Sequence, residues 1–287
     1  ANGAEGDRAR ERLEQSLSDF TAVAILGQFR DVNATASVER VLRKLASGKA
    51  KMILSKREPR LPSPTFVKAY LDAFRPKPAP SIGDDAPQGD QTLKRAFEAL
   101  EAQDYAHSLS LFQEAMQQGL STKELEAAAL NMHGTYMFVM GEAKRALEDL
   151  DRSIELCPEN VQTWVKKASV HVELGDKDAA MADFDRAVAL NADDADIYYH
   201  RGQVHFILGE FEAAMSDYSK STSLDDTFIF SQVQHAVASY KLGNIARSTA
   251  EFCRILKKFS DSSESYNYFG ELMLDQQRHE DAVANFD

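Results

Sequence analysis

Small and large apolar residues recur along the chain at helical spacing, and this pattern repeats every 34 residues from Ala127 to Asp287. One small position of the repeat is occupied by Gly134, Ala168, Gly202, Ala236 and Gly270. A second helical stretch follows in each repeat, with a small and then a large apolar residue, as at Ala146 and Leu150. Glycines separate the two stretches, at Gly141, Gly175, Gly209 and Gly243. Each repeat therefore predicts two helices joined by a glycine-containing turn.

A period of 34 residues with these small and aromatic positions is typical of the tetratricopeptide repeat (TPR), which is a helical hairpin. A single hairpin cannot bury its apolar face, so neighbouring hairpins stack on one another. The sequence predicts an all-α TPR superhelix, an α-solenoid of helical hairpins, with an inner groove lined by the first helices. Such a groove binds polypeptide, although a fold class alone does not name a ligand.

The same pattern divides the chain into regions. Residues 1–29 match the end of a truncated TPR unit, and residues 30–88 predict a basic connector helix and a proline-rich linker that contains a short helix. Residues 89–287 predict the TPR array, with an irregular unit at 89–122 and a truncated last unit. The regular units start at residues 127, 161, 195, 229 and 263. We expect residues 75–89 to be mobile, and the chain to be part of a longer protein.

Charge is distributed unevenly along the chain, whose net charge is −12. Residues 30–77 carry twelve basic and four acidic side chains, whereas residues 78–287 carry eighteen and thirty-six. The acidic array favours basic partners by electrostatic steering and disfavours nucleic acid, whose phosphates it repels. The alternative is that acidic outer faces only keep the solenoid soluble.

Residue types that carry catalysis or bind metals form no recognisable motif. Cys157 and Cys253 lie far apart and predict reduced structural thiols. His171 and His205 share a repeat position and predict packing rather than metal binding. Arg201 predicts a bridge between neighbouring units. Because the sequence has no phosphate loop and no nucleophile elbow, we expect a protein without cofactor, metal or catalytic residues. No apolar run reaches the ~18 residues of a membrane span.

Two stretches resemble one known family. The segments Lys49–Lys77 and Asp196–Asp225 are similar to the 70 kDa preprotein import receptor of the mitochondrial outer membrane translocase, the TOM complex, in its fungal form. The resemblance implies a C-terminal TPR domain on the cytosolic face that receives preproteins, both carrier-type and presequence-bearing, beside other subunits of the translocase. It also implies that the membrane anchor and the domain that docks cytosolic chaperones lie outside this chain.

The groove residues follow from the repeat, because the second, fifth, ninth, twelfth and thirteenth residues of a TPR unit face the groove. These positions predict a mostly apolar stripe that binds preproteins. The stripe consists of Phe138, Val165, Val172, Tyr199, Gln203, Phe206, Ile207, Phe230, Val233, Val237 and Tyr240. Leu93, Phe97 and Leu100 extend it into the irregular unit. The alternative is that these are core residues, in a groove that is tightly wound or filled by the chain itself.

The function predicted from these features is docking of hydrophobic or amphipathic targeting segments of unfolded preproteins, with acidic walls that favour basic flanks. One alternative is a TPR targeting arm of a larger cytosolic enzyme, such as a phosphatase or a glycosyltransferase. Another is a passive scaffold in a chaperone-associated complex. A catalytic domain in the same reading frame would favour the first alternative, and a groove filled by its own chain would favour the second.

Overall fold

The computed structural model describes residues 67, 68, 71, 79–260, 262–278 and 281. In this part of the chain it contains eleven α-helices and no strand. The predicted fold class, an all-α array of TPR hairpins, is therefore confirmed. The truncated unit at 1–29 and the predicted basic connector helix lie outside the described residues.

Two compact units divide the chain between Asp183 and Phe184. Unit 1 contains α1 (Gln88–Glu101), α2 (Tyr105–Gln118), α3 (Lys123–Val139), α4 (Ala143–Leu156), α5 (Val161–Glu173) and the first half of α6 (Lys177–Leu190). Unit 2 contains the rest of α6, α7 (Ala195–Ile207), α8 (Phe211–Leu224), α9 (Ile229–Lys241), α10 (Ile245–Lys258) and α11 (Ser263–Asp275). In unit 1 the consecutive helices from α1 to α5 pack against one another, and in unit 2 those from α7 to α11 do the same.

The first helix of each regular hairpin begins where the repeat predicts, except in the first of these hairpins. Helices α5, α7, α9 and α11 begin at residues 161, 195, 229 and 263, whereas α3 begins at Lys123 rather than at Ala127. Thr122 explains the earlier start, because its side chain accepts a hydrogen bond from the backbone N–H of Leu125. Glu124 and Glu126 then lie in the first turn, where negative charge is favourable.

The turn between the two helices contains a glycine in the first four regular hairpins, whereas in the fifth Gln277 takes the equivalent position, with a φ angle of +59°. Gly141 and Gly209 have φ angles of +81° and +77°, and Gly175 and Gly243 have similar values. A side chain in this left-handed conformation would meet the following carbonyl, so glycine is favoured there. These glycines end the first helix of their hairpins and set the length of the turn.

Second-helix side chains fill the space against the first helices. Ala146, Leu150, Ala214 and Tyr218 are all fully buried. The side-chain approach is closer at Gly202 than at Gly134, because a Cβ atom on Gly202 would lie 2.8 Å from Cε1 of Tyr218. Glycine at this position therefore lets the aromatic ring pack directly on the backbone of α7.

Residues 79–86 of the linker make several contacts with the first hairpin. Ile82 contacts the core cluster of α1 and α2. The amide of Gln91 donates hydrogen bonds to the carbonyl oxygens of Gly83 and Asp84, at 2.6 and 2.8 Å. Lys94 binds the Asp84 carboxylate at 2.9 Å. Pro80 and the following Pro87 disfavour regular structure here, but they leave the carbonyls of the segment free to accept these bonds.

Candidate functional site

In unit 1, most of the predicted groove residues lie inside the packed layer of first helices. Phe138 on α3 and Val165 on α5 are buried, and Val172 is partly buried. In the irregular hairpin, Leu93 is fully buried and Phe97 and Leu100 are partly so. These side chains contribute to packing and offer little apolar surface to a ligand.

In unit 2, the predicted residues near the start of the first helices form an aromatic core. Tyr199 packs edge-to-face on Phe228, with ring centroids 4.8 Å apart, and accepts a hydrogen bond from Gln203 at 2.7 Å. Phe228 in turn contacts Phe230 at 5.7 Å. Burial raises the pKa of the Tyr199 phenol far above its usual value, so the group stays neutral. Val233 and Val237 are buried as well.

The predicted residues near the end of the first helices are more accessible. Phe206 and Tyr240 are partly buried, and Ile207 is 48% exposed. Three neighbours in the turns and flanking helices are also exposed, namely Leu208 at 41%, Ile245 at 45% and Leu274 at 44%. Successive hairpins of unit 2 pack in order, so their turns follow one another along one side. We call Ile207, Leu208, Ile245 and Leu274 the turn edge of unit 2.

Unit 1 has a single counterpart to the turn edge among the described large apolar side chains. Leu174 is 42% exposed and occupies the same repeat position as Leu208, 34 residues earlier. The neighbouring turn residues in this hairpin are Glu173, Asp176, Lys177 and Asp178. An isolated exposed leucine among charged residues is ordinary protein surface, whereas a row of apolar residues indicates a binding surface.

A buried polar cluster joins the first helices of unit 1. Lys166 on α5 is 5% exposed, and its Nζ atom donates hydrogen bonds to Oδ1 of Asn131 at 2.6 Å and Oγ1 of Thr135 at 2.9 Å. The Asn131 amide also donates to Thr163 at 2.8 Å. Burial lowers the pKa of Lys166 to about 7, because the charged ammonium loses its hydration. We call these four residues the lysine cluster.

A second polar feature repeats in both units. In the first four regular units the seventh residue is basic and contacts an acidic residue, the twenty-third, on the second helix of the same hairpin, whereas the fifth unit has Phe269 at the seventh position. The pairs are His133–Asp149 at 2.7 Å, Lys167–Asp183 at 3.7 Å, Arg201–Asp217 at 2.7 Å and His235–Glu251 at 3.0 Å. We call these four pairs the hairpin ladder. Three of the pairs are within hydrogen-bond distance and hold the two helices of their hairpin together, whereas Lys167 lies closer to Asp151 of the preceding hairpin, at 2.8 Å.

The Arg201 rung is the strongest of the ladder. Two nitrogen atoms of the guanidinium donate to the two carboxylate oxygens of Asp217, at 2.8 and 2.7 Å. This bidentate pairing raises the pKa of Arg201. Arg201 was predicted to bridge neighbouring units. Its strong contact is instead within its own hairpin, and only a longer 3.9 Å contact reaches Asp185 on α6.

In two other pairs of the hairpin ladder, neighbouring groups shift the pKa of the acidic residue. His171 donates to or accepts from Asp183 at 2.8 Å, so this carboxylate has two basic neighbours. Burial nevertheless raises the pKa of Asp183, and Lys167 and His171 oppose that shift. For Glu251, burial favours a higher pKa, but hydrogen bonds and charge from His235 and Arg247 outweigh it and the pKa is lowered. In both pairs the pKa of the carboxylate is therefore set by two opposing effects, desolvation and pairing with basic groups.

Sequence reasoning missed the ladder, although the signal was present. The basic residues are 34 apart, and the acidic residues are also 34 apart, sixteen residues later. Reading the charged positions in the same register as the apolar ones would have paired them. The lysine cluster carries no comparable signal, because lysine at that repeat position occurs in only one regular unit.

Within the described residues, no group of three or more His, Cys, Asp or Glu could hold a metal ion. His205 contacts Glu210 at 2.8 Å, and His200 is buried beside Tyr199. Both cysteines are free thiols. No helix in this part of the chain is long and apolar enough to cross a membrane.

Comparisons with known proteins agree with this architecture. The tetratricopeptide repeat family model matches residues 165–225. Human mitochondrial import receptor subunit TOM70 is 28% identical over 58% of this chain and 30% of its own length. The mouse subunit is 27% identical over 98% of this chain and 50% of its own length. The chain thus spans at most about half the length of these relatives.

Solved structures give the same result. The crystal structure of yeast Tom70 superposes with a TM-score of 0.69 at 26% identity, over 94% of this chain and 56% of the yeast chain. A tetratricopeptide repeat protein from Parabacteroides merdae has a TM-score of 0.55 at 19% identity, over 69% of this chain and 77% of its own, and supports the fold alone. The helical hairpins, their register and these similarities together show that the chain contains a TOM70-like TPR domain.

Proposed function

We propose that this chain is the preprotein-binding part of a mitochondrial outer membrane import receptor and binds hydrophobic or amphipathic targeting segments of unfolded preproteins. The proposal assigns it to the cytosolic face of the membrane, beside other subunits of the translocase. Docking of cytosolic chaperones is left to a domain outside this chain. Carrier-type and presequence-bearing preproteins are the expected clients.

The observation that carries the proposal is the turn edge of unit 2. Four exposed aliphatic side chains lie in consecutive hairpins, whose first helices also carry the partly buried rings of Phe206 and Tyr240. Phe206 also packs edge-to-face on Phe211, with centroids 5.2 Å apart, so the ring is held in place. An apolar row on a rigid scaffold suits the apolar side of an amphipathic segment.

The size of this surface suits reversible binding. Covering one half-exposed leucine or isoleucine contributes about 1 kcal/mol. Four such side chains, with partial cover of two aromatic rings, give a modest affinity, which a receptor needs if it is to pass its client on. The buried groove residues Tyr199 and Val237 belong to the core clusters against which Phe206 packs.

Charge adds a second contribution for basic clients. Residues 78–287 carry eighteen basic and thirty-six acidic side chains, so a basic targeting peptide is attracted from a distance. This attraction depends on salt, because the Debye length falls from ~10 Å at 0.1 M to ~3 Å at 1 M. Burial of apolar surface is not screened in this way.

Two labelled peptides test the proposal by fluorescence anisotropy across this salt range. One is a carrier-derived apolar segment with few charges, and the other is a basic amphipathic targeting peptide. We expect the affinity of the basic peptide to fall with salt and that of the apolar segment to stay constant or rise. If neither peptide binds the folded chain, the proposed function is wrong. If the basic peptide binds equally well at all salt concentrations, the electrostatic contribution is wrong.

A further inference from the structure

One regular unit reverses the charge of the array. Residues 229–262 carry five basic and two acidic side chains, a net charge of +3. The preceding unit, residues 195–228, carries two and six, and residues 263–287 carry one and six. The positive charge is concentrated on α10, at Arg247, Arg254, Lys257 and Lys258, which we call the basic stripe.

The basic stripe lies on the outer side of its helix. All four side chains are exposed, whereas Ser248, Phe252 and Ile255 form the buried side of α10. The spacing of seven, three and one residues keeps the four cations on one broad side of the helix. The stripe is therefore available to a partner without any rearrangement of the core.

Two of the four cations are already neutralised. Arg247 contacts Glu251 at 2.9 Å, and Lys258 contacts Asp226 at 2.8 Å. Arg254 and Lys257 form no ion pair with any residue that the structure describes. Lys257 lies in the last turn of α10, where a cation is favourable beside the helix dipole, but Arg254 is one turn earlier.

The repeat register shows what is unusual about this pair. Arg152 on α4 occupies the same repeat position as Arg254, and Glu155 occupies the same position as Lys257. In α4 the two side chains form an ion pair at 2.8 Å. In α10 the acidic residue is replaced by lysine, so two like charges stand three residues apart, an arrangement that destabilises a helix. An anion bound between the two cations would offset this repulsion.

We propose that the basic stripe of α10 is a docking surface for an acidic polypeptide segment, separate from the apolar turn edge. Arg254 and Lys257 would each bind a carboxylate of a segment whose acidic residues are spaced three or four apart on a helix. The expected partner presents a short row of such carboxylates on one side.

The dimensions of the stripe favour a narrow partner over an extended anionic surface. Packed helices lie about 8–10 Å apart, which is close to the Debye length at physiological salt. A membrane or a nucleic acid that reached α10 would therefore also face the flanking acidic units and be repelled. A single acidic segment along α10 avoids them.

The test titrates the chain with a labelled helical peptide that carries glutamates at every third and fourth position. We expect binding by fluorescence anisotropy that weakens with salt, and an affinity reduced about tenfold or more in the variant R254E/K257E. The matched control is R152E, which changes the same repeat position in unit 1 and should leave the affinity unchanged. Because all three positions are exposed, circular dichroism should show intact folding.

Three results would overturn the proposal. The first is that the original chain shows no salt-dependent binding of the acidic peptide. The second is that R254E/K257E and R152E lose affinity for the peptide equally. The third is that the chain binds anionic phosphatidylserine vesicles but not the acidic peptide. The neutral variant R254Q/K257Q gives a second measurement, with an intermediate affinity expected. Failure of this test leaves the apolar peptide assay unaffected, because the turn edge and the basic stripe share no residue.

Discussion

In unit 1 the first helices are joined by the lysine cluster, whereas in unit 2 the corresponding helices are joined by aromatic rings around Tyr199. Asn131 and Tyr199 occupy the same repeat position, and Thr135 and Gln203 share another. Asn131 and Thr135 accept hydrogen bonds from a buried lysine, while Tyr199 and Gln203 bond each other. One repeat pattern therefore supports two different interiors.

The surfaces of the two units also differ, in that unit 2 is the more apolar. Among the described large apolar side chains, unit 1 exposes only Leu174, whereas unit 2 exposes the whole turn edge. A repeat keeps the residues that stack neighbouring hairpins and leaves the turn positions free to vary. The comparison teaches that binding is to be sought at positions where the units differ, and stability at positions where they agree.

The largest effect is expected at the Arg201 rung of the ladder in unit 2. Arg201→Met leaves the Asp217 carboxylate buried without its bidentate partner, and we expect the free energy of unfolding to fall by about 3 kcal/mol. The equivalent change in unit 1, His133→Leu, should cost about 1 kcal/mol, because that pair is monodentate. Guanidinium denaturation followed by circular dichroism measures both.

The control for this prediction is the double variant Arg201→Met with Asp217→Leu. It removes both charges, so most of the lost stability should return. A double variant that is no more stable than Arg201→Met alone would show that the ion pair is not the cause.

The next effect concerns the lysine cluster in unit 1 and its dependence on pH. The pKa of Lys166 is about 7 in the folded chain, below its ordinary value, so between these two values the unfolded chain binds more protons. The free energy of unfolding should therefore rise by about 1.4 kcal/mol for each pH unit above 7. Lys166→Met should lack this rise. Parallel curves for the two proteins from pH 7 to pH 9 would contradict the assignment.

A smaller difference is expected at the close helix contacts. Gly202→Ala in unit 2 places a Cβ atom 2.8 Å from the Tyr218 ring, and we expect a loss of about 2 kcal/mol from overpacking. Gly134→Ala in unit 1 meets its nearest atoms at 3.1 Å and should cost less. Thermal unfolding compares the two. Tyr218→Leu should rescue Gly202→Ala, and no rescue would mean that the ring is not the obstacle.

Much of the fold could be predicted from the sequence, because the same small and large apolar residues recur at the same positions in several repeats. The glycines at four of the turns and the buried pairs such as Ala214 with Tyr218 are fixed by backbone geometry and close packing. The linker at residues 79–86 could not be predicted in this way. Its position depends on individual contacts with Gln91 and Lys94, and a periodic sequence pattern does not predict such contacts.

The candidate site is less predictable than the fold. Groove positions were assigned from repeat register, but register does not say how far a side chain is covered by the next hairpin. Val233 and Ile207 both occupy groove positions, yet the first is buried and the second is half exposed. Leu208 and Ile245 were not assigned, because they belong to the turn and to the start of a second helix.

The central claim is that unit 2 binds apolar client segments through its turn edge, and one pair of variants tests it most directly. Leu208→Asp and Leu174→Asp change the same repeat position at nearly equal exposure, 41% and 42%, in the two units. Both should unfold like the original chain, since neither side chain is in a core. Titrated with the carrier-derived apolar peptide by fluorescence anisotropy, Leu208→Asp should bind at least about fivefold more weakly, a loss of about 1 kcal/mol, and Leu174→Asp should bind normally. Equal affinities for the two variants would contradict the account.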